Sequence, residues 1–546
     1  MTGPSDLDAS ELPRAWGKTQ APSPASTSAQ PESKAALTNN RWLKDRRVLL
    51  VLLPLVLYAA ALNPFFLPAS YDDVVYHFGA LSLAAEGSFK YCGKYIVDWP
   101  PGLSVLIAIP FSLGWQSVWA AKVCVLLCVA AGLLFGFKLF QKEGRPFPAL
   151  TFGLFGLLPV SFLMGTRTMS EWPYFLASIL FLLVLQKLTT PNTSLVTAVG
   201  AGLLLGAASL TKFTGVLLGA SVVAQMTHKW VKSRKTWPLR AIFPELITAL
   251  IGAGCFVAWR VKIGWQLEAG TASPSDYYRA GWFPHHLDSF NPFSVPGKIT
   301  DLLFHTEAAV AVLGWGGWSA VLAVAMPGLV VLTGLLLRLR SPERTPADWY
   351  VLSLLVLFSL IGTNQQTRYL MPVAPFLISY GLLGCRHWRQ RLIGPVPWCK
   401  VWPIRLAAVG WFAVLLGAAA QLLVVGNLTG NHRGLCYWIN PTPESFYRGY
   451  WLDLYRACQM IRNDSTPGSV AVIGGEDKYA TAFTQRDLVR FAPSQDFVFL
   501  LVMDGTKISR EQLVSSNLEC LSSAGPVVLY KRSVALHSQP LTAYEK

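Results

Sequence analysis

Seven residues early in the chain, Tyr71-Asp72-Asp73-Val74-Val75-Tyr76-His77, gather two carboxylates, two phenols and an imidazole. Four further charges, Arg167, Glu171, Lys212 and Arg368, interrupt or border long apolar runs. A charge in such a setting is costly unless it is paired or used, so each needs a reason. One chemistry fits them together. A carboxylate takes a proton from a nucleophile while lysine or arginine neutralises a departing phosphate. Arginine suits that phosphate because its planar fork donates two hydrogen bonds. Asp72 and Asp73 are therefore the candidate catalytic carboxylates, with Asp72 read as the base and Asp73 as positioning it, an assignment that can be exchanged. Lys212, Arg368 and Arg167 are the candidate phosphate ligands, and Tyr76, Glu171 and Tyr369 the candidate positioning groups. Taken singly, each has a simpler role: an aspartate caps a helix start, and a lone lysine or arginine reaches to a membrane interface. Asp73 and His77 stand at i, i+4, but no third ligand accompanies them, so no metal and no cofactor is expected.

The elements that must position these groups are membrane helices. Of 546 residues, 52% are hydrophobic and 14% charged, against roughly 25% charged in soluble domains. Mean hydropathy is +0.40. A run of about 20 apolar residues crosses a bilayer. Spans are predicted at 48–68, 117–137, 148–166, 170–188, 194–212, 213–228, 241–260, 308–337, 349–363, 369–385 and 405–427, eleven in all. Residues 1–40, rich in Ser, Thr, Pro and Ala, cannot bury a core and are expected to form a disordered cytoplasmic tail. They hold no apolar h-region, so no signal peptide is expected. Arg41, Lys44, Arg46 and Arg47 hold this end in the cytoplasm. Alternation then puts Lys138–Arg145, Lys229–Arg240, Arg338–Arg344 and Arg386–Arg405 inside. Loops 69–116 and 261–307 and the chain from 428 fall outside, as do the candidate site residues. Segments 229–240 and 386–405 each carry five Lys/Arg and no acid. The net charge of +16 thus reports membrane topology, not nucleic-acid binding. The apolar stretch 102–115 is too short to span and contains Pro110; it reads as a juxtamembrane or re-entrant helix on the outer side. In the loop before it, Val74, Val75, Phe78, Leu81 and Ala85 form an apolar stripe, with Asp73, Tyr76 and His77 toward another face.

Beyond the last span the patterning changes. Trp451–Arg462 and Ser509–Ser522 look helical, while Ser469–Ile473, Phe497–Val502 and Pro526–Tyr530 look like strands. The expected organisation is a transmembrane domain over 41–428, a small exoplasmic α/β domain over 429–535 and a flexible tail over 536–546. Gly474-Gly475 is a strand-end turn rather than a dinucleotide fingerprint. The nine cysteines show no CxxC spacing. Cys436, Cys458 and Cys520 leave room for one disulfide of undetermined pairing.

The order and common sidedness of the short motifs resemble the C-type (GT-C) glycosyltransferases, the class of the protein O-mannosyltransferases and the lipid A aminoarabinose transferases. Asp72-Asp73 with Tyr76 resembles their first-loop acidic motif, with Asp in place of the common Glu. Pro100-Pro101-Gly102, after Asp98-Trp99, resembles their Pro-Pro-Leu before a short apolar helix. Ser170-Glu171-Trp172-Pro173 resembles an acidic motif opening a later span. Leu210-Thr211-Lys212 resembles their Leu-Thr-Lys-Gly, with Phe213 replacing the Gly. Arg368-Tyr369 followed by Pro372 resembles their Arg-Tyr-x-x-Pro. The likeness covers about 48 to 385. It implies an all-α polytopic membrane fold with outer juxtamembrane helices. It also implies a polyprenyl-phosphate-linked sugar donor and inverting transfer to a hydroxyl or amine of a lipid, glycan or protein acceptor. No divalent metal is needed where protein cations balance a single phosphodiester. A bacterial inner (plasma) membrane is the expected location.

Other readings stay open. An oligosaccharide ligase or polymerase would use the same donor type and a large outer loop with His and Arg, and His285-His286 lie in such a loop. A secondary transporter would show paired repeats broken at mid-membrane; none is visible. A non-catalytic scaffold presenting the outer domain would make the loop charges dispensable.

Overall fold

In the computed structural model, the described residues are 47–66, 71–91, 93–188, 194–232, 238–271, 294–304, 318–361, 367–393 and, with several gaps of which 504–517 is the longest, 442–532. The predicted span 405–427, His285 and His286 lie outside them.

The first predicted span is shorter than its apolar run. Helix α1 (Arg47–Ala61) has 15 residues, roughly 22 Å. It stops because Asn63 folds the chain ahead of Pro64: its amide donates to the Ala61 carbonyl at 3.2 Å and its oxygen accepts from Phe65 N–H at 3.1 Å. Helix α2 (Tyr71–Glu86) follows, then a two-stranded hairpin, β1 (Lys90–Tyr91) and β2 (Lys94–Tyr95), and helix α3 (Gly102–Ser112). At 11 residues, α3 is roughly 16 Å long, about half a bilayer core. It packs on α2, where Ser104 donates to the Tyr76 carbonyl at 2.8 Å.

Helix α4 (Val118–Lys142) is capped by Ser117, which accepts from Ala120 N–H at 3.2 Å. The predicted span 148–166 is two helices, α5 (Pro148–Leu157) and α6 (Pro159–Gly165), bent by 67°. The break is local: a residue before proline is pushed out of helical backbone, and Leu158 has ψ 131°. Next come α7 (Glu171–Lys187), α8 (Leu195–Thr211), a 3-10 turn (Phe213–Leu218), α9 (Gly219–Lys232) and α10 (Pro238–Glu268). Then follow α11 (Ser294–Phe304), α12 (Trp318–Arg340), α13 (Pro346–Ile361), a second 3-10 turn (Thr367–Val373) and α14 (Ala374–Ile393). Among the described residues, α4 and Ile242–Glu268 are long and apolar enough to cross a membrane, with bent α5–α6 a third if it counts as one span. At the far end of α4, Arg145 donates to Asp348 (2.7 Å) and Glu143 (2.5 Å) among the rings of Phe140, Phe376 and Tyr380. Tyr380 donates to the same Asp348 at 2.6 Å. This buried network ties α4 to α13 and α14.

The C-terminal region holds helices α15 (Pro443–Phe446) and α16 (Tyr450–Asn463) and a five-stranded sheet in the order β4-β3-β5-β7-β6. Strands β3 (Val470–Ile473), β4 (Leu488–Arg490) and β5 (Phe499–Val502) run parallel, and β7 (Val527–Arg532) is antiparallel to β5 and β6. Residues 518–524 form strand β6, not the predicted end of a helix over 509–522. Pairing along β7 overrides the local helical pattern; 509–517 lie outside the described residues. Cys458 and Cys520 are free thiols, and Cys436 is outside the described residues. One sheet face packs with α16 into a core that also takes in Phe66 and Val74. The sheet region therefore rests on the turn that leads into α2. This covering changes the face assignment of α2: Asp73, Val74, Val75, Tyr76 and His77 are all buried, so no polar face separates from the apolar stripe.

Candidate active site

Four charged side chains converge, and each stands at an interruption of helical structure. Asp72 is in the first turn of α2. Glu171 is the first residue of α7, where a carboxylate complements the helix dipole. Lys212 is a single extended residue (φ −152°, ψ 136°) between α8 and the first 3-10 turn. Arg368 lies in the second 3-10 turn. The bend at Lys212 needs Gly215, whose N–H donates to the Lys212 carbonyl at 2.8 Å. A Cβ at Gly215 would lie 2.5 Å from the Ala208 carbonyl.

The charges form a chain. Lys212 Nζ donates to Glu171 Oε1 at 2.8 Å. Arg368 Nε lies 3.9 Å from that oxygen, and Arg368 Nη1 is 3.1 Å from Asp72 Oδ2. The other Asp72 oxygen, Oδ1, accepts from Trp99 Nε1 at 2.9 Å. Tyr369 presents its ring to both cations, with Lys212 Nζ 4.5 Å and the Arg368 guanidinium 5.3 Å from the centroid. Tyr76 lies beside Ser170. Burial, with Asp72 nearby, holds the Tyr76 phenol well above its ordinary pKa, so it stays protonated. Exposure is graded: the Lys212 and Glu171 side chains are 8% and 2% exposed, those of Arg368 and Asp72 20% and 22%. The Asp72–Arg368 end is the accessible one.

Asp72, Tyr76, Glu171, Lys212, Arg368 and Tyr369 are thus brought together. Asp73 and Arg167 lie near Lys122. Asp73 is fully buried, and its Oδ1 accepts from Val74 N–H at 2.9 Å. Both Asp73 and Arg167 act electrostatically on Lys122. Lys122 donates to Asn63 Oδ1 (2.8 Å) and the Phe65 carbonyl (2.6 Å), so it pins the turn that precedes α2. Sequence reasoning passed over Lys122, although a lysine inside the predicted span 117–137 was signal enough. Trp99 carried no such signal, since nothing in its neighbours marks its indole as a partner of Asp72. His77, at i+4 from Asp73, is enclosed by Phe66, Phe78 and Phe111 with ring centroids 5.0–5.6 Å away. Burial lowers its pKa from 6.5 to about 4, leaving it neutral at pH 7.

Directly after Lys212, Phe213 and Thr214 line a cavity of about 1640 Å³. Val216, Val223, Leu352 and Val356 give it apolar walls between the first 3-10 turn, α9 and α13.

No family model and no curated protein matches the chain. Among solved structures it is similar to ArnT from Cupriavidus metallidurans bound to undecaprenyl phosphate. The TM-score is 0.54 at 15% identity, over 92% of this chain and 100% of that one. The fold is the GT-C fold. ArnT in its apo state is similar at TM-score 0.51 and 16% identity, over 90% and 97% of the two chains. The archaeal oligosaccharyltransferase AglB from Archaeoglobus fulgidus, in complex with an inhibitory peptide and a dolichol-phosphate, aligns at TM-score 0.49 and 11% identity over 92% and 75%. Within the GT-C fold of this chain, the four converging charges come from the helix ends described above.

Proposed function

We propose that the chain is an inverting glycosyltransferase that moves a sugar from a polyprenyl-phosphate donor to an acceptor hydroxyl or amine at the exoplasmic membrane face. The observation that carries this reading is the chain of ion pairs from Asp72 through Arg368 and Glu171 to Lys212, whose next residue, Phe213, lines a large and mainly apolar cavity. An isoprenoid tail suits the cavity, and its phosphate then lies at the level of Lys212 and Arg368. Similarity to ArnT bound to undecaprenyl phosphate supports the same ligand class here.

An arriving phosphodiester competes with Asp72 for Arg368, whose fork spans two oxygens. Asp72, released on that side, accepts the proton of the acceptor O–H or N–H. The acceptor lone pair forms the new bond to the anomeric carbon from the side opposite the phosphate. The bond from that carbon to the phosphate oxygen breaks, its electron pair stays on the phosphate, and the configuration inverts. Lys212 and Arg368 balance the charge that develops on the departing polyprenyl phosphate. Glu171 holds Lys212, and its Oε2, which has no hydrogen-bond partner among the described residues, is left for a sugar hydroxyl. Asp73 positions α2 through Lys122, and Arg167 adds to the positive field beside it. The full topology in this reading has eleven spans, a cytoplasmic N-terminus, an exoplasmic sheet domain and a bacterial inner-membrane location.

The test is transfer by purified protein, using the polyprenyl-phosphate sugar that accumulates in cells lacking it. Asp72→Asn keeps size but cannot take the proton, so transfer should fall on the order of 10²–10⁴-fold while donor binding persists. Near-normal transfer by Asp72→Asn, Asp73→Asn and the double variant would refute the mechanism. Reporters fused after residues 235 and 395 should read cytoplasm, and those after 285 and 540 exoplasm; a cytoplasmic result at 285 removes the outer-face site.

A further inference from the structure

We infer that Trp99 is a positioning residue for the base, and that segment 98–102 is the spacer that sets Asp72 against the phosphate cations; this rests on the glycosyl-transfer reading above. Three observations carry it. First, the indole Nε1 of Trp99 donates to Asp72 Oδ1 at 2.9 Å while Arg368 takes Oδ2 at 3.1 Å. Each Asp72 oxygen therefore has its own partner, and the carboxylate plane is set by both. When a phosphate draws Arg368 away, Trp99 is the contact that still fixes how Asp72 faces the acceptor.

Second, the Trp99 ring is held from behind. It packs against a cluster of Val75, Phe89 and Ile96, built from α2 and the hairpin. Ile96 N–H donates to the Phe89 carbonyl at 3.1 Å, closing the hairpin between two members of that cluster. Third, the chain after Trp99 is stiff and anchored. Pro100 and Pro101 fix two φ angles. Gly102 then opens α3 against the end of α8, where a Cβ would lie 2.5 Å from Thr211 Oγ1 and 2.8 Å from the Leu210 carbonyl oxygen. Thr211 is the neighbour of Lys212. One short, rigid segment thus touches the carboxylate at one end and the residue beside the phosphate cation at the other. A reaction whose nucleophile and leaving group lie on opposite sides of one carbon depends on that spacing.

The test replaces Trp99 in the full-length, detergent-solubilised protein with 3-benzothienylalanine, which keeps ring shape but substitutes sulfur for N–H. Trp99→Phe is made in parallel. Radiolabelled undecaprenyl-phosphate mannose, glucose and 4-amino-4-deoxyarabinose serve singly as donors, with total membrane extract as acceptor. The isostere should lower kcat about tenfold or more, the worth of one hydrogen bond to a charged group, with donor KM held within about twofold. In the Asp72→Asn background the isostere should change single-turnover transfer by less than about twofold, because the group it positions no longer takes a proton. A wild-type-like isostere overturns the proposal, since shape alone would then suffice. So does a loss confined to donor KM, or an equal loss in the Asp72→Asn background. Wild-type protein that transfers none of the three sugars overturns the parent reading along with it, whereas active wild type with an unaffected isostere overturns the Trp99 assignment alone.

Discussion

Changing Glu171 to glutamine removes one charge from a pair that is buried on both sides, with Lys212 Nζ 2.8 Å from Glu171 Oε1. Removing one partner of such a pair leaves the other charge uncompensated, at a cost of about 3–5 kcal/mol. Glutamine still offers an oxygen to Lys212, which places Glu171→Gln near about 3 kcal/mol, roughly a hundredfold in the folding equilibrium. Lys212→Met should cost less, because Arg368 Nε, 3.9 Å from the same oxygen, still faces Glu171. The double variant replaces the whole pair with neutral groups of similar size and should fall within about 1 kcal/mol of wild type. Stability would be read from urea unfolding of all four proteins in one detergent, and function from donor KM. Glu171→Gln keeps the cation and should still bind donor, whereas Lys212→Met and the double variant should not. Stability losses that simply add in the double variant would show the two residues to be uncoupled. Wild-type donor KM in Lys212→Met would remove Lys212 from the phosphate site.

Arg368→Lys retains charge but loses the fork, so donor KM should rise about tenfold with folding intact; unchanged kinetics would leave Arg368 as an interfacial charge. His77 predicts an acid-limb dependence. Its folded pKa of about 4 lies below the ordinary 6.5, so the unfolded chain binds the extra proton between those values. The stability it confers is full above about pH 6.5 and lost as pH falls toward 4, about 3 kcal/mol in all. His77→Phe should flatten thermal stability across that window, and a slope equal to wild type would contradict the assignment.

Much of the site was legible because charge is rare in this chain. Lys212 stands out at the end of one apolar run and Arg368 at the start of another, and their expense in that setting pointed to use. The relation between Asp72 and Asp73 was not legible. A helical wheel separates an apolar stripe from a polar face, yet residues 73–77 of α2 are all covered, with α3, the turn at Phe66 and the sheet region packed against the helix. Burial of Asp73 is set by that tertiary cover, which neighbouring residues do not encode. Leu158-Pro159 carried a readable break that the unbroken hydropathy of 148–166 obscured. Strand β6 failed for the opposite reason: its local pattern favours helix, and only pairing with β7 makes it a strand.

The four converging charges share a property that explains how an apolar bundle tolerates them. None lies inside a regular helix flanked by full turns on both sides. Asp72 and Glu171 sit in first turns, Lys212 occupies an extended residue between helical segments, and Arg368 lies in a 3-10 turn. Helix starts favour carboxylates, and the interruptions let the two cations meet those carboxylates rather than lipid. Each charge comes from a different part of the chain, so the site exists only when α2, α7, the end of α8 and the second 3-10 turn are packed. Tight contacts such as Gly102 against Thr211 and Gly215 against Ala208 therefore bear on the geometry of the charge cluster as well as on stability. A methyl group at either glycine would displace the backbone beside Lys212, and with it the distance between Asp72 and Lys212.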